Sequence, residues 1–213
     1  MRTLVICDDP WHPAQTARDG LQALGDCGYE FDWIEDAGEW SAERLAGYPL
    51  VLLAKSDNTS AADQSPWMAP AVQRAFVHYV QQGGGLLAVH SGTVYAERPI
   101  LRALIGGAFI RHPRQCPVTV EPQPGHPLTA GCTPFTLLDE HYIMEQDDPQ
   151  ADVFMTTTSE HGTQPGGWTR VEGQGRVCVL TPGHNLPVWQ HPSFQALLLN
   201  ALRWCGQAPA SRG

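Results

Sequence analysis

The chain has 213 residues, thirteen basic and twenty-two acidic, for a formal charge of -9 with its nine histidines neutral. A composition 42% hydrophobic and 16% charged supplies a core and argues against wholesale disorder. Twelve arginines, one lysine (Lys55) and no basic run exclude the electrostatic footprint of a nucleic-acid or anionic-membrane binder. No stretch approaches the roughly 20 apolar residues of a bilayer span. The N-terminus turns acidic at Asp8-Asp9, too soon for the apolar region of a secretory signal. Six cysteines without Cys-x-x-Cys spacing exclude a zinc ribbon or small disulfide scaffold and point to the cytoplasm.

Residues 3–7 read as a buried strand, followed by a helix over 13–24 that stops at Gly25. Strands are expected at 30–34 and, apolar on both faces, at 49–54. A helix over 69–82 carries Val72, Phe76, Val77 and Val80 on one stripe and ends at Gly83-Gly84-Gly85. A strand at 86–89 and a helix near 98–105 follow. Apolar strands separated by helices imply an α/β domain whose parallel sheet is covered on both faces. The second half changes character, with strand-like runs at 117–121, 136–140 and 152–158 set between Pro- and Gly-rich turns. A strand at 175–181 pairs with 169–172 through a turn at Gly173-Gln174, and 193–205 is an amphipathic helix. One domain over 1–206 with a loose tail at 207–213 is the expected organisation.

In open parallel sheets, ligands sit beyond the carboxyl ends of the strands. Here the strand exits carry Asp8-Asp9-Pro10-Trp11-His12, Lys55-Ser56-Asp57-Asn58, His90-Ser91-Gly92-Thr93 and Pro182-Gly183-His184-Asn185. Polar side chains from four strands, three histidines among them, thus arrive at one edge. His90 stands on a tight strand-to-helix turn, the position that holds a nucleophile in many hydrolases. An imidazole there serves as acid–base catalyst, nucleophile or metal ligand. Asp139-Glu140-His141-Tyr142 is the second rich group. On a strand, Glu140 and Tyr142 share one face while Asp139 and His141 share the other.

The run Gly83-Gly84-Gly85-Leu86-Leu87-Ala88-Val89-His90-Ser91-Gly92 resembles the central motif of the ThuA-like, or trehalose-utilisation, family. Further matches are His112-Pro113, Gly125-His126-Pro127-Leu128-Thr129-Ala130-Gly131, the Asp139–Tyr142 group, Gly173-Gln174-Gly175-Arg176-Val177, Gly183-His184 and Trp189. The resemblance implies a flavodoxin-like three-layer sandwich of the class I glutamine amidotransferase type. His90 then stands where those enzymes keep cysteine, so the amidotransferase reaction is expected to be lost for want of a thiolate. It also implies a sugar substrate, of the trehalose or 3-keto disaccharide kind.

The resulting expectation is a cytoplasmic enzyme for a small sugar, with no nucleic-acid or membrane partner and scope for a homo-oligomer. His90, His184 and Glu140 are the catalytic candidates. Asp8, Asp9, Trp11, His12, Ser91, Tyr142 and Trp189 are the substrate-binding candidates, the aromatic faces suiting pyranose rings. His12, His90 and His184 form an alternative ligand set for a divalent ion such as zinc, although no other cofactor is called for. His112 and His126, each before a proline, are read as positioning the chain, and His78, His161 and His191 are left out. Two rival readings are a non-catalytic sugar-binding or regulatory module and a hydrolase using Ser91.

Overall fold

A computed structural model describes residues 1–207. The expected tail at 207–213 lies outside the described residues from position 208 onward. Five apolar strands build the first half of a nine-stranded sheet: β1 (Arg2–Cys7), β2 (Glu30–Ile34), β3 (Leu50–Ala54), β4 (Gly85–Val89) and β11 (Gly175–Leu180). They are parallel and lie in the order β2-β1-β3-β4-β11, the flavodoxin-like order with its topological switch between β1 and β3. The other half is antiparallel, formed by β10 (Gly162–Glu172), β9 (Asp152–Ser159), β6 (Cys116–Pro122) and β7 (Phe135–Asp139).

Alternation along the parallel strands divides the core. Val5, Leu52, Leu87 and Cys178 point to one face, where α1 (Ala14–Gln22), α5 (Leu186–Trp189) and α6 (Pro192–Cys205) cover them. Leu4, Val51, Leu86 and Val177 point to the other, under α2 (Ala42–Ala46), α3 (Pro70–Gln81) and α4 (Pro99–Ile105). Strands buried on both faces carry apolar residues at every position, as seen in β3 and β4. The helix starts follow local chemistry: α3, α4 and α6 each begin at a proline, whose missing N–H would find no intrahelical partner there. The amphipathic stripe of α6 buries Phe194, Leu197, Leu198, Ala201 and Leu202. No helix among the described residues is long and apolar enough to cross a membrane.

Three expectations change. The strand expected at 136–140 ends at Asp139, because the Asp139 carboxylate turns into the loop after β11 and the chain leaves the ladder there. The strand expected at 169–172 is the end of a much longer one, β10, that begins at Gly162; its glycines and Pro165 hide the pattern. A two-stranded ladder of β5 (Gly107–Arg111) and β8 (Ile143–Gln146) was not expected at all. Only Gly106, in a left-handed conformation with φ +85°, separates β5 from α4, so their apolar runs merge in the sequence.

The turn after β4 requires one glycine. A Cβ on Gly92 would lie 2.0 Å from the carbonyl oxygen of Leu53, which presses the His90–Thr93 turn against β3. Gly92→Ala is expected to lower stability by about 1–3 kcal/mol through overpacking, seen as a fall of several degrees in the thermal midpoint.

Candidate functional site

The site is built from the inside outward by two buried carboxylates. Asp9, at the exit of β1, accepts backbone N–H bonds from Trp11 (3.0 Å), His12 (3.1 Å) and Ser56 (2.9 Å), and is 2.8 Å from His12 Nδ1. Burial alone would raise its pKa, but the hydrogen bond from His12 and the N–H groups of Ser56 and Trp11 bring it down to about 2. An ionised carboxylate only accepts, so His12 Nδ1 carries a proton, and in the neutral ring Nε2 keeps its lone pair. Asp139, at the end of β7, accepts from the N–H groups of Gly183 (2.9 Å), His184 (3.0 Å) and Asn185 (3.2 Å). Burial pushes its pKa up against those donors. This bond set ties the last strand of the sheet to the exit of β11 and places Glu140 beside His184.

His90 has φ +46°, a left-handed conformation that is rare for a side chain of its size. It is 1% exposed, and its Nδ1 lies 2.8 Å from the Thr181 carbonyl oxygen. A carbonyl accepts only, so Nδ1–H donates and Nε2 is again the free lone pair. Tyr142 stacks on the ring at 4.0 Å between centroids. Burial lowers the His90 pKa in spite of nearby Glu140.

The three imidazoles form a triangle. Ring centroids are 5.0 Å apart for His12–His90, 5.1 Å for His12–His184 and 5.6 Å for His90–His184. Glu140 Oε2 lies 3.4 Å from His90 Nε2 and 3.2 Å from His184 Nδ1. Burial opposes ionisation of Glu140, yet the two imidazoles hold its carboxyl far below the ordinary range. Glu140 in turn raises the pKa of His184. The ligating atoms of His12, His90, His184 and Glu140 all lie within 4.8 Å of one another. His12 Nε2, His90 Nε2 and His184 Nδ1 are buried and have no hydrogen-bond partner.

Above this cluster opens a cavity of about 540 Å³, walled by Trp11, Val94, Phe109, His112 and Tyr142 and floored by His12, Glu140 and His184. The volume is that of a small-molecule site, mostly apolar with a few convergent polar groups. Trp11 is 58% exposed at its mouth.

The structure thus brings His12, His90, His184, Glu140, Tyr142 and Trp11 together. It assigns other work to the remaining candidates. The Asp8 carboxylate accepts from the N–H groups of Ala14 (3.0 Å) and Ala61 (3.2 Å), so it shapes loops and does not face the cavity. Asp9 orients His12 with an already saturated carboxylate. Trp189 is a core residue, 2% exposed, with Nε1 donating to the Gly183 carbonyl oxygen at 2.7 Å. Ser91 is 2% exposed and makes no hydrogen bond to any of the three imidazoles, which removes the basis for a serine nucleophile. Cys7, the thiol nearest the site, has its pKa pushed up to about 12 by burial and nearby Glu35. His141 is structural, with Nδ1 2.6 Å from Ser159 Oγ and Nε2 3.2 Å from the Thr157 carbonyl oxygen.

Sequence reasoning missed Phe109 and underrated His112, whose Nε2 lies 3.6 Å from Glu140 Oε1. Both hang on β5 and the segment after it. The short β5–β8 ladder that places them, with Phe109 opposite Met144, leaves no signal in the sequence.

The family model for ThuA, described as trehalose utilisation, matches residues 4–205. A ThuA-like protein from Parabacteroides merdae shares 19% identity, with 100% of this chain and 92% of that one covered at a TM-score of 0.76. A cytoplasmic protein from Salmonella typhimurium LT2 shares 15%, with 96% and 99% covered at 0.74. A cold-adapted β-galactosidase from Rahnella sp. R3 shares 17%; 94% of this chain matches 31% of that one at 0.65. At these identities the likenesses show the fold. No curated protein matches the chain.

Replacing Asp139 by Asn turns one acceptor into an NH2 donor facing backbone N–H groups. The variant is expected to lose about 2–3 kcal/mol, the scale of charged hydrogen bonds left unmade, read as a lower urea midpoint.

Proposed function

The chain belongs to the ThuA (trehalose utilisation) family, and from that membership we propose that it is an enzyme of carbohydrate metabolism acting on a keto sugar, of the 3-keto disaccharide class. The placing of His184 and Glu140 on the floor of a single aromatic-walled cavity, with His90 buried behind Glu140 at 3.4 Å, carries this reading. Flat aromatic faces suit the apolar faces of a pyranose, and Trp11, 58% exposed, presents such a face at the cavity mouth, while Tyr142 is buried between His90 and Phe109. A keto group acidifies the neighbouring C–H bond. The reaction then needs a base for that proton and a positive or hydrogen-bonding group at the oxygen that gains charge. The cluster offers both kinds of group within one side chain's reach, which supports isomerisation, elimination or hydrolysis initiated by proton transfer.

The glutamine amidotransferase reaction falls outside this reading. No thiol stands at position 90, and the nearest one, Cys7, is held in its neutral form by burial. The family membership, together with the cytoplasmic Salmonella relative, supports action on a small sugar inside the cell.

The test is turnover of 3-keto glucosides and 3-keto trehalose by the purified chain. His90→Ala is expected to cut kcat/KM at least 100-fold with the thermal midpoint within a few degrees of wild type. Trp11→Ala is expected to raise KM with little change in kcat, since it touches only the cavity mouth. Saturable binding of these sugars with no product in any condition would replace the enzyme by a sugar-binding module.

A further inference from the structure

We infer that His12, His90, His184 and Glu140 form a binding site for one divalent transition-metal ion of the zinc class. The donor atoms are His12 Nε2, His90 Nε2, His184 Nδ1 and Glu140 Oε2. The argument rests on where the protons must be. His12 and His90 each commit Nδ1–H to an oxygen that only accepts, the Asp9 carboxylate and the Thr181 carbonyl. In its neutral form each ring then directs the Nε2 lone pair into the cluster, and both Nε2 atoms are buried without a partner. His90 Nε2 faces the carboxylate oxygen of Glu140 at 3.4 Å, acceptor against acceptor. A cation between them removes that conflict for every member of the cluster at once.

The geometry suits an ion. Zinc with nitrogen and oxygen ligands at roughly 2.0–2.2 Å has ligand-to-ligand edges of about 3.4 Å. Two edges here are already 3.4 Å and 3.2 Å, and the longest is within 4.8 Å, so the remaining closure is a small inward movement of the rings. The chemistry of the donors is also selective. Imidazoles with one carboxylate and no thiolate suit zinc, manganese, iron, cobalt or nickel, and are poor for magnesium and calcium, which prefer all-oxygen shells. An outer layer stands behind two of the three imidazoles: Asp9 and the Thr181 carbonyl fix the tautomer and tilt of the His12 and His90 rings, as partners behind ligand histidines do.

His12, Glu140 and His184 line the open cavity, so an ion there is reachable by solvent and by a ligand. An ion taking five or six ligands keeps positions free on that side. Those positions fit the adjacent carbonyl and hydroxyl oxygens of an α-hydroxyketone, which extends the centre to the keto-sugar reading above and rests on it. A bound ion would then act as the electrophile at the carbonyl oxygen.

Metal binding is tested with no sugar present. Chelator-treated wild-type protein is titrated with Zn²⁺ by calorimetry, and His12→Ala, His90→Ala and His184→Ala are compared with the exposed variant His161→Ala. The expected result is one ion per chain, an affinity loss of at least 100-fold in each of the three site variants, and no loss in His161→Ala. Asp9→Asn is expected to lose 10–100-fold by releasing the His12 ring. Co²⁺ added to wild-type protein should give a visible absorption spectrum of a nitrogen–oxygen site with no sulfur-to-metal band, which needs no variant to fold. Absence of a bound ion, or an affinity that His90→Ala and His184→Ala leave unchanged, overturns the centre. That failure leaves the sugar reading to its own turnover test, and absence of turnover leaves the titration result intact.

Discussion

The arrangement of the site depends on one buried carboxylate. Asp139 sits at the end of the outermost antiparallel strand and takes the N–H groups of Gly183, His184 and Asn185, which lie just past the end of the last parallel strand. Three strands, β10, β9 and β6, separate these two points in the sheet, yet the Asp139 carboxylate bonds the loop that follows β11. Without that contact neither Glu140, one residue after Asp139, nor His184, inside the bonded loop, has a fixed position. The cost of burying the carboxylate is offset by three directed donors, and the gain is a rigid frame in which a second acid stands beside an imidazole.

Asp9 does the corresponding work on the parallel side. Its carboxylate collects two N–H groups of its own loop, the Ser56 N–H from the exit of β3 and the ring of His12. The switch point of the flavodoxin order lies between β1 and β3, and Asp9 closes it like a staple. The strained backbone falls in the same place: Asp8 and His90 are the non-glycine residues with positive φ among the described residues. Strain concentrated at strand exits, and not in the strands, is what a scaffold shows when loops must aim side chains at one point. The His90 turn keeps the placement that a nucleophile elbow needs, although the side chain at its tip is an imidazole.

Much of this was legible in the sequence, and for identifiable reasons. The parallel strands announced themselves because burial on both faces writes an unbroken apolar run, as in Leu50–Ala54. The site was visible in outline because strand exits are short and polar, so His12, His90 and His184 could be assigned to one edge from strand positions alone. The Glu140–Tyr142 side chains followed from alternation even though the strand stops at Asp139. What could not be read is which polar groups are spent on backbone. Asp8, Asp9 and Trp189 look like ligands in a sequence, and only the positions of the N–H and C=O groups around them show that they hold loops together. Phe109 and His112 were hidden for a different reason: β5 and β8 are short and pair only with each other, so no periodicity marks them.

Lys55, the single lysine of the chain, has a further consequence. It has 0% exposure, and its Nζ donates to the carbonyl oxygens of Asp8, Glu35 (3.2 Å) and Cys7 (3.5 Å), so it spans the exits of β1, β2 and β3. An amine-directed reagent therefore finds no exposed lysine side chain on the folded chain. Acylation of Lys55 has to wait until the loops around the switch point part from one another. The rate of its modification is a clock for that opening, a built-in reporter of how firmly the His12 side of the site is held closed.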